Sequence, residues 1–236
     1  ISTDHETITA EEAREKLAAG MKIIIRHGSA SSSLSDLLPL VNDSNVNSFM
    51  FGSDDREAGE LIEKGHFNDL LREAVKLGAD PFLAIRMATH SAASHYRLAD
   101  RGLIAPGFRA DLAVFKDLEN FETILVLKEG QVTAQQGRAV HPTPQAAIPS
   151  EALNRVHLKN KLAASDFVLH GLQSRMPVIG VIPGQLLTEK LIEEVKINRD
   201  GMPEIDPETG LNKIAVVERH KGSGRLSVAL VRGLDL

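Results

Sequence analysis

Two short polar clusters hold the side chains best suited to chemistry. Ser53-Asp54-Asp55-Arg56 follows the apolar run NSFMFG (Asn47 to Gly52), and Ser2-Thr3-Asp4-His5-Glu6 comes just before a helix start. Carboxylates move protons and hold cations, and neutral imidazole is a common metal ligand. A plainer reading stands beside each. Asp4 and Glu6 border a helix N-terminus, where the dipole favours acids. Asp54 and Asp55 also suit an N-cap for a helix near Glu57, with Arg56 as a surface counter-charge. A third cluster, Arg26-His27-Gly28-Ser29, follows the run MKIIIR. Gly28 there would let a ligand approach the backbone, and the alternative is an ordinary turn.

The other histidines lack a partner at ligand spacing. His66 and His95 are placed on helices, His90 lies in Met87 to Ser91, His141 and His157 border a Pro-rich stretch, and His170 and His220 lie further on. None forms an HxH or HExxH pair, so each reads as structural. Gly222, Gly224 and Gly233 read as turns.

The clusters need elements to position them. Thr9 with Glu12 suggests a capping box and Gly20 a left-handed C-cap, which predicts a helix over about 10–19. Met21 to Arg26 and Asn47 to Gly52 read as buried strands, with a short helix from Ser35 to Val41 between them. Helical spacing covers His66 to Leu77, closed by Gly78, and resumes from Pro81 to about Tyr96. Such alternation implies a parallel sheet whose active groups gather at the C-terminal strand ends, where His5, Arg26 and Asp54 all fall.

After Gly102 the pattern becomes β-rich. Asp111 to Phe115, Ile124 to Lys128 and Gln131 to Ala134 are expected strands, with Glu129-Gly130 as a hairpin turn. Pro142, Pro144 and Pro149 mark a linker. The expected domains are 1–100, 101–141 (β annex), 142–149 (linker) and 150–236, an α+β unit. That last unit is predicted to hold a strand at Met176 to Ile182, a helix at Thr188 to Val195, an acidic loop from Asn198 to Leu211, and strands at Ile214 to Glu218 and Leu226 to Val231.

Composition excludes several classes. With 27 Lys plus Arg against 32 Asp plus Glu, the net charge is -5 and there is no basic block, which argues against nucleic-acid binding. No stretch is apolar and long enough to span a bilayer. The absence of cysteine removes disulfides, thiolate metal sites, Cys nucleophiles and the cysteine-ligated deaminase design. Any metal must be held by His, Asp or Glu. The chain starts at Ile1 with no leader, which is read as a piece of a longer cytoplasmic polypeptide.

Taken together, the motifs resemble the bacterial and archaeal adenine deaminases of the amidohydrolase superfamily. The resemblance runs through STDHE with EEAREKLAAGM, the RHGS strand exit, SDDRE with LIEKGHFNDLLREAVKLGADP, AIRMATHSAA and GLIAPGFRADLAVFKDLENF. It continues through VIGVIPGQLLTEKL and KIAVVERHKGSGRLSVALVRG, nearly the whole chain. GLIAPGFRADLAVF marks only the superfamily, whereas STDHE, SDDR and VVERHKGSGR together are specific.

This resemblance implies an α/β fold: the last strands of a metal-dependent (β/α)8 barrel, a small β annex and part of an α+β C-terminal domain. It implies hydrolytic deamination of adenine to hypoxanthine and ammonia in purine salvage, with a divalent metal cofactor, a binuclear Mn or Fe site or else Zn. His5 matches a late-barrel metal ligand and Asp54 the final-strand Asp that binds metal and moves protons. Arg26, Ser29 and Asp55 match substrate-side rim positions. The early-barrel HxH pair and bridging acid have no counterpart, so the chain is expected to supply part of an enzyme, to pair with the remainder, and to belong to a homo-oligomer. The family usually has Glu at the position of His27 and His-Pro at Glu57-Ala58, both on the substrate side. Alternatives are another cyclic amide hydrolase on the same barrel, or a non-catalytic structural partner.

Overall fold

The structure, a computed structural model, describes residues 2–141, 147–169, 174–205 and 207–234. It divides into two compact units, residues 1–144 and 145–236.

Unit 1 is built on a parallel sheet of β1 (Thr3–Asp4), β2 (Lys22–Arg26) and β3 (Phe49–Gly52), in that order. Ile23 pairs with both Asp4 and Phe49, and Arg26 with Gly52, so all three strands end at one edge. Ile23, Ile25, Phe49, Met50 and Phe51 are buried, as β-branched and aromatic runs covered on both faces should be. Helix α1 (Ala10–Ala18) joins β1 to β2. Thr9 accepts from the Glu12 backbone N–H at 3.3 Å, the forward half of the expected capping box. The Glu12 carboxylate instead takes Lys16 at 2.7 Å, a charge pair one turn along the helix. Gly20 closes the helix at φ +80°, with Met21 donating to the Lys16 carbonyl.

Short α2 (Leu34–Leu37) and a 3₁₀ turn lead to β3, and α3 (Ala58–Glu63) and α4 (Phe67–Lys76) follow it. His66 is the N-cap residue of α4 rather than a helical one, a local correction. Helix α5 (Pro81–Arg86) is capped by Asp80, runs through a π-helical turn at Met87–Ser91, and continues as α6 (Ala92–His95). Leu70, Leu71, Ala74, Ala84 and Met87 close over the sheet, joined by Phe121. The annex strands β4 (Leu112–Phe115), β5 (Thr123–Lys128), β6 (Gln131–Gln135) and β7 (Arg138–Ala139) form an antiparallel meander. Glu129 and Gly130 both take positive φ at its first tight turn, as a two-residue hairpin requires.

Unit 2 carries a four-stranded sheet ordered β10-β11-β8-β9, from β8 (Arg175–Val181), β9 (Thr188–Glu194), β10 (Leu211–Val217) and β11 (Leu226–Arg232). The expected helix at Thr188 to Val195 is this edge strand β9. Its Glu, Lys and Leu residues favour helix as isolated residues, but antiparallel pairing with β8 across seven positions overrides that preference. Leu191 packs beside Val178, while Glu189 and Lys190 are exposed, and charge protects an open edge. Unit 2 contains β-strands and 3₁₀ turns and no α-helix among the described residues, so its expected α+β character is corrected as well. Residues 142–146 of the expected linker, and His170, lie outside the described residues. Among those described, no helix is long and apolar enough to cross a membrane.

Candidate active site

Because β1, β2 and β3 run parallel, the residues at and beyond their C-terminal ends share one rim: His5 and Glu6, Arg26 and His27, Asp54 and Asp55. Arg26 is the centre of the group. Its side chain is only 3% exposed, and one terminal nitrogen lies 2.9 Å from Glu6 Oε2 and 3.3 Å from Asp54 Oδ2. The other terminal nitrogen donates to Ser31 Oγ at 3.2 Å, and Ser33 Oγ accepts from the Arg26 backbone. His5 joins the chain of contacts through Nε2, 3.3 Å from Glu6 Oε1, with 55% of its side chain exposed. One continuous network therefore runs His5, Glu6, Arg26, Asp54, and all four of its members come from the three clusters that pattern singled out.

Glu6, read first as a helix-border acid, is thus the link between His5 and Arg26. Asp4 is occupied differently. It accepts from Thr7 and Lys16, and although burial alone would raise its pKa, those bonds hold it below the usual carboxylate range. Asp4 is a turn-forming group, and the helix-border reading suits it.

Asp54 has φ +51°, a left-handed conformation that Asp and Asn adopt more readily than bulkier residues. Asp55 takes the opposite course from Asp54. Its carboxylate lies against Gly28, where an added Cβ would collide with Oδ1, and its carbonyl accepts from Ser29 N–H at 2.9 Å. The close approach expected at Gly28 is therefore made by the chain's own Asp55. Ser29 Oγ accepts from Glu57 N–H at 2.9 Å and donates to Glu60. A shallow cavity of about 380 Å³ opens beside Ser29, Asp55, Arg56 and Glu60.

A wider cavity, about 700 Å³, lies elsewhere in this unit, between α4, α5 and the annex, with Phe67, Leu71, Phe82 and Phe115 in its walls. Neither His5, Arg26 nor Asp54 lines it, so size alone does not identify the chemical site.

Arg56 departs from its expected place. It is a buried ion-pair partner of Asp69 at 2.6 Å, with side chains 4% and 6% exposed, rather than a surface counter-charge. Pattern reading missed Asp69 because an Asp in the first turn of a helix ordinarily serves the dipole.

His27 is half-buried with Nδ1 3.0 Å from Ser32 Oγ. Burial, and then the nearby Arg56 charge, lower its pKa. The folded state therefore binds fewer protons than the unfolded chain as pH falls below the ordinary histidine value of about 6.5. Stability conferred by neutral His27 is present above that value and lost on acidification. Urea midpoints measured at pH 7.5 and pH 5 should differ less in His27→Gln than in the parent, and an unchanged difference would remove His27 as a cause.

His5 and Asp54 offer one imidazole nitrogen and one carboxylate. Among the described residues, no group of three His, Asp or Glu side chains is placed to hold a metal. The donor set is chemically suited to a divalent cation but incomplete, since a catalytic site typically takes about three protein ligands.

Comparison with known proteins supplies the context. Residues 3–133 match the amidohydrolase family and residues 185–236 the adenine deaminase C-terminal domain. Over its whole length the chain is 40% identical to the adenine deaminase of Dehalococcoides mccartyi (strain BAV1). It is 39% identical to that of Desulfatibacillum aliphaticivorans and 38% to adenine deaminase 2 of Carboxydothermus hydrogenoformans. The chain spans about 41% of the length of each of these relatives.

Proposed function

Because the chain belongs to the amidohydrolase family, we propose that it supplies the late-barrel part of an adenine deaminase, converting adenine and water to hypoxanthine and ammonia. The observation that carries this reading is the His5–Glu6–Arg26–Asp54 network at the shared end of three parallel strands. In this reading residues 1–100 are the last strands and helices of a (β/α)8 barrel, 101–141 its β annex, 142–149 a linker and 150–236 the start of the C-terminal domain.

His5 and Asp54 would hold a divalent metal together with ligands outside this set; Mn or Fe in a binuclear site, or Zn, suits them. Such a metal lowers the pKa of water to about 7, giving a nucleophile at neutral pH. The residues of this chain do the rest. Asp54 takes the proton from the attacking water and passes it toward the ring or the departing amine. The C6–O bond forms, the C6–N bond breaks and ammonia leaves. Arg26 orients the Asp54 carboxylate through Oδ2, leaving Oδ1 for proton transfer. Arg26, Ser29 and Asp55 form the substrate side of the rim.

His27 and Glu57-Ala58 depart from the family's substrate-side pattern, which favours keeping a cyclic amide as the second substrate class. A chimera in which residues 1–236 replace the matching stretch of the Dehalococcoides mccartyi relative separates the two. Ammonia release from adenine, with no opening of hydantoin or dihydroorotate, is the expected result; the reverse preference would overturn the reading.

In the same chimera, His5→Ala should lower metal per chain by elemental analysis while the thermal transition persists. The side chain is largely exposed, so its loss leaves no core cavity. Unchanged metal content would remove His5 as a metal ligand.

A further inference from the structure

We infer that Asp69, on α4 and outside the rim, is a positioning residue for Asp54 that acts through Arg56. The inference rests on the proposed role of Asp54 and adds the device that holds it.

A non-glycine residue at positive φ is held there only when its surroundings over-determine the conformation. Asp54 is such a residue, and the next anchor along the chain is two positions away. Arg56 N–H donates to the Asp54 carbonyl at 3.1 Å, closing the turn. One arm of the Arg56 guanidinium donates to the Gly65 carbonyl at 3.0 Å and the other to Asp69 Oδ2 at 2.6 Å. The remaining Asp69 oxygen accepts from Arg72 at 2.8 Å, and Arg72 also reaches the carbonyls of Lys64 and Asn120. A single carboxylate therefore ties the Asp54 turn to the α3–α4 connection and, through Arg72, to the annex loop between β4 and β5.

The tie is under electrostatic demand. Burial alone would raise the Asp69 pKa, but hydrogen bonds from Arg72 and Arg56 outweigh it and keep the group ionised. Arg56 Nε is buried with no hydrogen-bond partner, so the guanidinium is fully committed through its two terminal nitrogens. Removing the Asp69 charge would leave a buried cation unpaired, which is far more costly than losing a surface pair. The guanidinium would move toward solvent and carry the Asp54 turn with it.

Two measurements test this. In the 236-residue chain, amide hydrogen exchange is followed at Arg56 and Ser29, whose N–H groups bond to Asp54 and Asp55 carbonyls. Asp69→Asn should speed both by about tenfold or more, as local opening becomes easier, while Ile25 and Met50 in the strands keep their protection. In the chimera, Asp69→Asn should lower kcat by about tenfold or more with KM within about twofold, because misplacement by about 1 Å costs catalysis rather than binding. Asp69→Glu should restore part of kcat. An Arg56→Lys, Asp69→Asn double variant should be no worse than the more damaged single one. If Asp69→Asn does not fold, Arg56→Lys, which keeps the charge but loses one arm, is read by the same exchange measurement. Unchanged exchange at Arg56 and Ser29, or losses that multiply in the double variant, would overturn the inference. A parent chimera silent toward adenine would count against the proposed function alone, since exchange in the chain still decides the positioning.

Discussion

Replacing Asp54 by Asn in the chimera is expected to lower adenine turnover by about a hundredfold or more, the amount general acid–base catalysis typically contributes. Asn is the informative substitution because of the backbone. Asp54 sits at φ +51°, and Asn adopts that region as readily as Asp, whereas Ala would add strain of its own. The amide oxygen can still accept from Arg26, so the turn should hold its place. What is lost is the charge and the capacity to carry a proton. Stability should change little: the Arg26 contact is 3.3 Å long, Asp54 is 30% exposed, and the buried Arg26 keeps the Glu6 carboxylate at 2.9 Å as its charge partner. Ammonia release by steady-state assay, set beside the thermal midpoint, distinguishes the outcomes. Near-normal turnover would remove Asp54 as the proton carrier, and a collapsed thermal midpoint would mean that the charge acts in folding.

The strand end that carries Asp54 was legible from pattern, whereas the ion pairs around it were not, and the reason is physical. Buried strands announce themselves by composition: Ile23 to Ile25 and Phe49 to Phe51 have no polar residue among them, so β2 and β3 and the rim beyond them follow directly. Helix ends at Gly20 and Gly78 were legible because positive φ selects glycine. Ion pairs between distant segments leave no such local trace. Arg56 and Asp69 are thirteen residues apart, and nothing near either says that both are buried. Glu6 and Arg26 are likewise joined only by the strand order. Strand β9 failed for a related reason. Thr188 to Glu194 has helix-forming residues, and its strand state comes from the neighbour it pairs with, which lies outside any local window.

The second large effect concerns the 236-residue chain by itself, which is expected not to deaminate adenine. The reason lies in the number of donors. His5 and Asp54 are two, no group of three His, Asp or Glu among the described residues is placed to hold a metal, and about three are needed to hold a catalytic metal firmly. Sheet geometry points the same way. Among the described residues, strands β1 and β3 each pair on one side only, leaving backbone groups that a closed barrel would satisfy. Those edges should drive the chain to associate with copies of itself or with a complementary segment. Purified chain would be supplied with Mn²⁺, Fe²⁺ or Zn²⁺, its mass in solution determined by sedimentation, and ammonia release from adenine followed. Background release from an associating species is the expected result, and addition of the remaining segment of the Dehalococcoides mccartyi relative should raise it. Turnover from a verified monomer, comparable to that of the chimera, would mean that the site is complete within these residues. Glu6 and His27 would then be the first side chains to test as the missing donors, since both already lie on the rim with His5 and Asp54.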